Sequence, residues 1–314
     1  MPSLIRSLHH VTATADDAQA DLNFYARHLG LRLVKKTVNF DNPFVYHFYY
    51  GNEAGTPGTI MTTFPYRGMG VRVGTKGAGQ ITTTSFSVPD AALGHWRTRL
   101  AELGLAFEEA PSAFGEAAIR FRDPSGLVLR LVASGGDPRK PWVHPDIGPD
   151  RAIRGIHGVT LLVRDPARTT TQLLTELLDG AVVGESADTT RIGVGSDAPG
   201  QIVEVARAGD APNAVNGLGT VHHVAFAVGD ADQQLRMRGE LLRWGLHPTE
   251  VLDRQYFRSI YFREPNGVLF EIATVPPGFT ADEALPDLGR ALKLPPWEEP
   301  RRAQIEAALP PVRY

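Results

Sequence analysis

The 314-residue sequence contains no cysteine. This absence excludes disulfide bonds, thiolate-bound metals, cysteine nucleophiles and iron–sulfur clusters. The chain also lacks an excess of positive charge, since its formal net charge is −3 at pH 7. Such a balance offers no basic field for nucleic acid or for an anionic membrane surface. We therefore expect neither nucleic acid nor membrane among its partners.

Long apolar runs are missing as well. No stretch approaches the roughly 18 uninterrupted apolar residues of a membrane-spanning helix. The opening segment, MPSLIRSLHH, has no apolar core of the kind found in secretory signals, so we expect a cytoplasmic protein. A hydrophobic content of 42% and a charged content of 21% are typical of a folded chain with sizeable cores.

Proline and glycine are concentrated in one internal segment, residues 134–152, which we interpret as a linker. It separates two halves of similar length, residues 1–133 and 153–274. A second proline-rich stretch, residues 275–314, follows the second half. Two interpretations of this stretch stay open: an arm packed over a sheet or against another subunit, and a flexible tail.

The two halves resemble each other in sequence. The segment RSLHHVTATADD, from Arg6, aligns with RGIHGVTLLVRD, from Arg154. Later, FRDPSGLVLRLVA, from Phe121, aligns with FREPNGVLFEIAT, from Phe262. Within each half the apolar periodicity indicates two units, each a strand, a helix and three further strands. We therefore predict an α+β protein built from four βαβββ modules.

Two histidine pairs, His9–His10 and His222–His223, each open a predicted strand. Imidazole nitrogen is a suitable ligand for first-row transition metals. A single pair would be unremarkable on a half-buried strand, but the repeat makes the two pairs informative. The third module has Gly158 at the position of His10, and the second has Thr83 at the position of His223. Because a scaffold requirement would place similar residues in both copies, this asymmetry favours a function.

Glu271 lies in an apolar strand, VLFEIAT, where an unpaired buried carboxylate would be costly. Its repeat partner is Arg130. Two neutral imidazoles and one carboxylate form the facial triad that holds Fe(II) with open positions for substrate and dioxygen. We therefore predict a metal held by His10, His223 and Glu271. The alternative is a surface-facing Glu271 at a sheet edge.

Arg254 and Tyr261 lie seven residues apart on consecutive extended segments. A phenol and a fixed cation close to a metal could hold an anionic substrate oxygen. Taken alone, these two residues are better explained as a surface arginine and a core tyrosine.

Together, LHHVTATADDAQADLNFY, VHHVAFAV and RQYFRSIYFREPNGVLFEIAT resemble the vicinal oxygen chelate superfamily, and within it the ring-cleaving hydroquinone dioxygenases. The resemblance implies that His10, His223 and Glu271 bind one metal, with Fe(II) expected first and Mn, Zn or Ni as other candidates. It also implies that modules 1 and 4 form one cupped mixed sheet and modules 2 and 3 the other, with helices outside.

The same resemblance implies catalytic roles for Tyr261, His222 and Arg254, and substrate contacts for His9, Thr12, Arg254 and Tyr261. The expected reaction is extradiol-type opening of a para-hydroquinone, or of a related dihydroxylated aromatic ring, by O2. A homo-oligomer is also expected. His9 and His222 adjoin the predicted ligands, so regular strand alternation would turn them away unless a bulge intervenes.

Two other functions remain open at this point. A glyoxalase-type isomerase or lyase would use the same fold with Zn, Ni or Mn, but such sites usually have a fourth protein ligand. The sequence offers no second inward-facing carboxylate. A small-molecule binding module would need no metal, and Glu271 would then be a costly buried charge.

Overall fold

Two eight-stranded mixed sheets form the protein, which is described here by a computed structural model over residues 4–165 and 169–314. The first module comprises β1 (Ile5–Ala15), α1 (Ala18–Leu22) with a π-helical continuation (Asn23–His28), β2 (Arg32–Asn39), β3 (Asn42–Gly51) and β4 (Ile60–Pro65). The second comprises β5 (Gln80–Val88), a 3₁₀ turn (Asp90–Ala92), α2 (Leu93–Glu102), β6 (Phe107–Glu109), β7 (Ala118–Arg122) and β8 (Val128–Ala133).

The second half repeats this plan. Its third module comprises β9 (Gly155–Val163), a π-helical segment (Leu173–Leu177), β10 (Ala181–Glu185), β11 (Thr189–Gly193) and β12 (Ile202–Arg207). The fourth comprises β13 (Thr220–Val228), α3 (Ala231–Arg243), β14 (Leu252–Asp253), β15 (Arg258–Arg263) and β16 (Leu269–Thr274). Three 3₁₀ turns (Phe279–Ala281, Leu285–Asp287, Glu299–Arg301) and α4 (Arg302–Ala308) follow. Among the described residues, no helix is long and apolar enough to cross a membrane.

Strand order confirms the predicted pairing of the modules. The first sheet runs β14-β15-β16-β13-β1-β4-β3-β2, which joins modules 1 and 4 through the β1–β13 contact. The second sheet runs β10-β11-β12-β9-β5-β8-β7-β6 and joins modules 2 and 3. Residues far apart in sequence, at the start and near the end of the chain, therefore share the inner face of the first sheet.

Helix starts follow the capping rules. The Asp17 carboxylate accepts a hydrogen bond from the backbone N–H of Ala20 at the start of α1. Asp230 accepts one from Gln233 at the start of α3. Both carboxylates satisfy amides that the first helical turn leaves without a partner.

The β1–β13 ladder contains three register shifts, and two of them are bulges at the histidine pairs. Leu8 pairs with Phe226 and His10 with Ala225, which leaves His9 as an extra residue. Similarly, Thr12 pairs with His223 and Ala13 with Val221, which leaves His222 extra. A bulge interrupts the alternation of side chains, so both members of each pair can contribute to the same site.

The segment between the halves is tied to both sheets. Arg139 donates to the carbonyl oxygens of Gly58 on the first sheet's side and of Ile156 in β9, at 2.6 and 2.8 Å. It also forms an ion pair with Asp137. The guanidinium therefore links the two sheets through their backbones.

The C-terminal stretch packs against the first sheet as an arm. Lys35 in β2 is fully buried and forms ion pairs with Asp282 at 2.6 Å and Glu283 at 2.5 Å. Phe279 lies edge-on to Tyr49 of β3, with ring centroids 5.0 Å apart, and Ile305 of α4 is fully buried. The arm thus covers the outer strands of the sheet that carries the histidine pairs.

Asp21 in α1 gives a test of this packing. Its side chain is buried and accepts hydrogen bonds from Tyr50 and Thr63. Burial, the largest cause, raises the pKa of Asp21 to about 7 from an ordinary value of 3.8. Between these pH values the folded protein retains a proton that the unfolded chain releases, so stability falls as pH rises through this window.

We expect Asp21→Asn to remove this part of the pH dependence. From pH 5 to pH 8 the free energy of unfolding of the parent protein should fall by about 2–4 kcal/mol more than that of the variant. Urea denaturation at the two pH values measures the difference. Equal pH dependence in both proteins would show that Asp21 does not carry the effect.

Candidate metal centre

Three buried side chains from three strands of the first sheet converge on one point. His10 lies in β1, His223 in β13 and Glu271 in β16. His10 Nε2 is 3.2 Å from His223 Nε2 and 3.2 Å from Glu271 Oε2, and His223 Nε2 is 2.8 Å from the same oxygen. At most 4% of any of the three residues is exposed.

The arrangement fits a cation better than a hydrogen-bonded cluster. Glu271 Oε1 accepts a hydrogen bond from Ser259, but Oε2 makes no directed hydrogen bond despite its two close imidazole nitrogens. A buried carboxylate oxygen without a partner costs free energy. A divalent ion at the point of convergence would satisfy it together with both nitrogens.

The spacing of the donor atoms also suits a metal. Protein nitrogen and oxygen ligands lie about 2.0–2.2 Å from a first-row ion, so donors at right angles are ~3 Å apart and tetrahedral donors ~3.4 Å. The observed separations are 2.8–3.2 Å. They match one face of an octahedron, which leaves the opposite positions for other ligands.

The neighbouring histidines fix the orientation of both imidazole ligands. His9 Nδ1 is 2.9 Å from His10 Nδ1, and His222 Nδ1 is 2.7 Å from His223 Nδ1. Burial, the largest cause, lowers the pKa of both His9 and His222 to about 3, so both rings are neutral. If the inner ring donates its Nδ1–H, its Nε2 lone pair is free for the metal, the usual arrangement for a histidine ligand.

Glu271 is ionised in this setting. Burial acts to raise its pKa, but the facing imidazoles of His10 and His223 hold the pKa well below its usual value. The site therefore offers one carboxylate charge and two imidazole nitrogens to a divalent cation.

An aromatic cavity of about 400 Å³ opens above the three residues. That volume lies in the range of small-molecule sites. Of the residues proposed from the sequence to meet substrate, Thr12, His222, Arg254 and Tyr261 line it. His9 lies behind His10 and does not line the cavity. The full set of lining residues is His10, Thr12, Thr14, Asn39, Phe40, Asp41, His47, Tyr49, Phe64, Tyr66, His222, His223, Thr249, Arg254, Phe257, Tyr261 and Leu269.

Arg254 is fixed between two groups at the cavity. Its Nε lies 3.3 Å from the Tyr261 hydroxyl, and its two terminal nitrogens contact Asp41 in the β2–β3 turn at 3.1 and 3.0 Å. The Arg254 side chain is 16% exposed. The structure thus places Arg254 and Tyr261 side by side at the cavity, although residue types alone suggest a surface arginine and a core tyrosine.

Asp41, His47 and Tyr49 are among the cavity-lining residues that sequence reasoning missed. His47 and Tyr49 alternate on β3 with core residues, and that alternation could have placed them on the inner face. No local signal marks Asp41, because its partner Arg254 is more than 200 residues away.

The equivalent part of the second sheet holds a closed network of charges. The Glu204 carboxylate forms ion pairs with Arg130 at 2.8 Å and with Arg191 at 2.7 Å. The Glu116 carboxylate contacts both Arg191 and His157. A Cβ added to Gly158 would lie 2.7 Å from the carbonyl oxygen of Ile202, so a histidine could not replace it without a backbone shift. Within residues 4–165 and 169–314, the one group of three such side chains that could hold a metal is His10, His223 and Glu271 in the first sheet.

The sequence matches the family model for the glyoxalase/bleomycin resistance protein/dioxygenase superfamily over residues 7–131 and 155–272. The chain belongs to this superfamily. One relative, MhqE of Bacillus subtilis strain 168, carries the provisional name of ring-cleaving dioxygenase. It is 46% identical over 303 residues, covering 96% of this chain and 98% of the relative.

A second superfamily relative is the chlorohydroquinone/hydroquinone 1,2-dioxygenase of Sphingobium indicum, 34% identical across 95% of this chain and 94% of its own. Among solved structures, one provisionally described as a dioxygenase from Bacillus subtilis has a TM-score of 0.94 at 40% identity, covering 99% of this chain and 98% of that one. Glyoxalase I from Zea mays shares the fold, with a TM-score of 0.64 at 14% identity across 86% of this chain and 92% of its own.

Replacing the carboxylate tests the metal centre. Glu271→Gln keeps the size of the side chain but removes the charge that would face the cation. Metal affinity should therefore fall by at least the 10–100-fold that is typical when a residue hydrogen-bonded to a metal ligand is replaced. Folding should survive, since the matching strand of the second sheet carries Arg130. Bound metal after dialysis and the thermal midpoint with and without metal are the measurements.

Glu204→Gln is the matched control, because it removes a buried carboxylate from the second sheet. It should lower stability by leaving Arg130 and Arg191 less well paired, while metal content stays that of the parent. Full metal retention by Glu271→Gln would remove Glu271 from the ligand set.

Proposed function

We propose that the protein is a metal-dependent dioxygenase that uses O2 to open the ring of a para-hydroquinone or a related dihydroxylated aromatic compound. The observation that carries the proposal is a triad of two imidazoles and one carboxylate, spaced as an octahedral face, beneath an aromatic cavity. Relatives of 46% and 34% identity bear the names of ring-cleaving and of chlorohydroquinone/hydroquinone dioxygenases, which supports the same reaction class.

His10, His223 and Glu271 would hold the metal, and the donor set suits Fe(II). Bound there, Fe(II) would supply open coordination positions and one-electron chemistry that joins substrate and O2. His9 and His222 would keep the two imidazoles turned to the ion through their Nδ1 contacts.

Arg254 would bind and orient the substrate oxygen as that oxygen loses its proton. The guanidinium is held in place by Asp41 and lies beside the Tyr261 hydroxyl. A fixed cation in a partly water-excluded cavity stabilises developing negative charge more strongly than the same cation in water.

Tyr261 and His222 would move protons at the ring. Burial, the largest cause, raises the pKa of Tyr261, so its phenol stays protonated and can donate to a substrate or oxygen atom. If His222 accepts the His223 Nδ1–H, its Nε2 carries a proton, and this ring lines the cavity. Thr12 would contact the substrate from the cavity floor.

An oxygen-electrode assay tests the proposed reaction directly. Protein loaded with Fe(II) without air should consume O2 when hydroquinone or a substituted hydroquinone is added, with loss of the aromatic absorbance. Absence of O2 uptake across substituted hydroquinones and catechols would contradict the proposal.

Tyr261→Phe separates metal binding from turnover. Metal content should stay at the parent level, while turnover should fall by on the order of 10²–10⁴ if the hydroxyl moves a proton. The control is Tyr46→Phe, because Tyr46 stacks on Phe48, away from the cavity lining. A Tyr261→Phe protein with the parent rate would reduce this residue to a packing role.

A further inference from the structure

The β3 wall of the cavity presents a histidine that the proposed reaction has not used. His47 is 9% exposed and lines the cavity, on the same strand face as Tyr49. Its ring lies 4.0 Å from that of Tyr49 and 4.1 Å from that of Phe64. The imidazole is therefore held between two aromatic rings with its remaining edge toward the cavity.

A chain of hydrogen bonds occupies one nitrogen of His47. Its Nε2 is 2.8 Å from Thr62 Oγ1, which in turn lies 2.9 Å from Thr12 Oγ1. Nδ1 is the nitrogen that this chain leaves for the cavity, where a neutral imidazole nitrogen either donates or accepts one hydrogen bond.

His47 Nδ1 has no protein partner among residues 4–165 and 169–314, where the hydrogen bonding of the His47 side chain is limited to Thr62. Burial, the largest cause, holds the pKa of His47 well below its usual value, so the ring is neutral. A polar nitrogen of this kind is costly to leave unpaired when a ligand displaces water from the cavity.

His47 is also displaced from the triad across the sheet. β3 is separated from β1, the strand of His10, by β4. At about 4.8 Å per strand, the two backbones lie about 10 Å apart. Arg254 and Tyr261 come from the opposite end of this sheet. An aromatic ring with one oxygen at the triad would thus extend its other end toward the His47 wall.

We propose that His47 Nδ1 forms a hydrogen bond with the substrate hydroxyl that lies away from the triad, and so selects rings that carry a second hydroxyl at the para position. This inference rests on the proposed function and names the group that sets its substrate class. A ring with hydrogen or halogen at that position would leave Nδ1 unpaired, and sites built to bind a hydroxyl discriminate strongly against such analogues.

Binding without oxygen tests the inference. The Fe(II)-loaded protein is titrated anaerobically with hydroquinone and with 4-fluorophenol, which keeps one hydroxyl and replaces the other with a small atom that donates no hydrogen bond and accepts one only weakly. The parent should bind hydroquinone roughly tenfold more tightly, the effect of one hydrogen bond to an otherwise unpaired nitrogen. In His47→Phe this preference should fall to about one.

Tyr46→Phe provides the control. Tyr46 stacks on Phe48 and is not among the cavity-lining residues, so the tenfold preference should remain. An unchanged preference in His47→Phe would overturn the inference. So would a parent protein that binds both phenols equally, a result that needs no variant to fold.

The two proposals fail in different ways. If the parent consumes O2 with hydroquinone but its preference does not depend on His47, the proposed function stands and this inference is wrong. If neither phenol binds the loaded protein and no O2 is consumed, the proposed function itself fails.

Discussion

The structure depends on one electrostatic constraint: three buried acceptor atoms face one another across the centre of a sheet. Glu271 Oε2 and the Nε2 atoms of His10 and His223 lie within 3.2 Å of one another, with no directed hydrogen bond to the carboxylate oxygen. A cation at their common point would satisfy all three. The β1–β13 contact brings two of the three strands together, and two of its bulges position the histidine pairs.

The second sheet shows what the same scaffold does without that cation. Its β5–β9 ladder has irregularities at the corresponding places, between Ile81 and Thr83 and between Ser85 and Phe86. Yet its interior charges neutralise one another, with Glu204 held between two arginines. One sheet therefore has a self-neutralised interior, and the other presents two imidazoles and a carboxylate that could hold a metal. The repeat asymmetry at His10, Gly158, Glu271 and Arg130 reflects this division.

The sequence was informative wherever a pattern was local or repeated. The modules, their pairing through the resemblance, and the residues that converge in the first sheet all followed from such patterns. The contacts that shape the cavity did not. Asp41 reaches Arg254 across the sheet, and His47 is oriented through Thr62 and Thr12 on two other strands. Such contacts depend on register and bulges, which residue types do not encode on their own.

The most direct test of the central claim is anomalous diffraction from crystals grown with Fe(II) without air. The account predicts one metal peak per chain in the first sheet, about 2.0–2.2 Å from His10 Nε2, His223 Nε2 and Glu271 Oε2. The second sheet should show none. A peak elsewhere, or an empty triad at saturating metal, would contradict the claim that a cation completes this sheet.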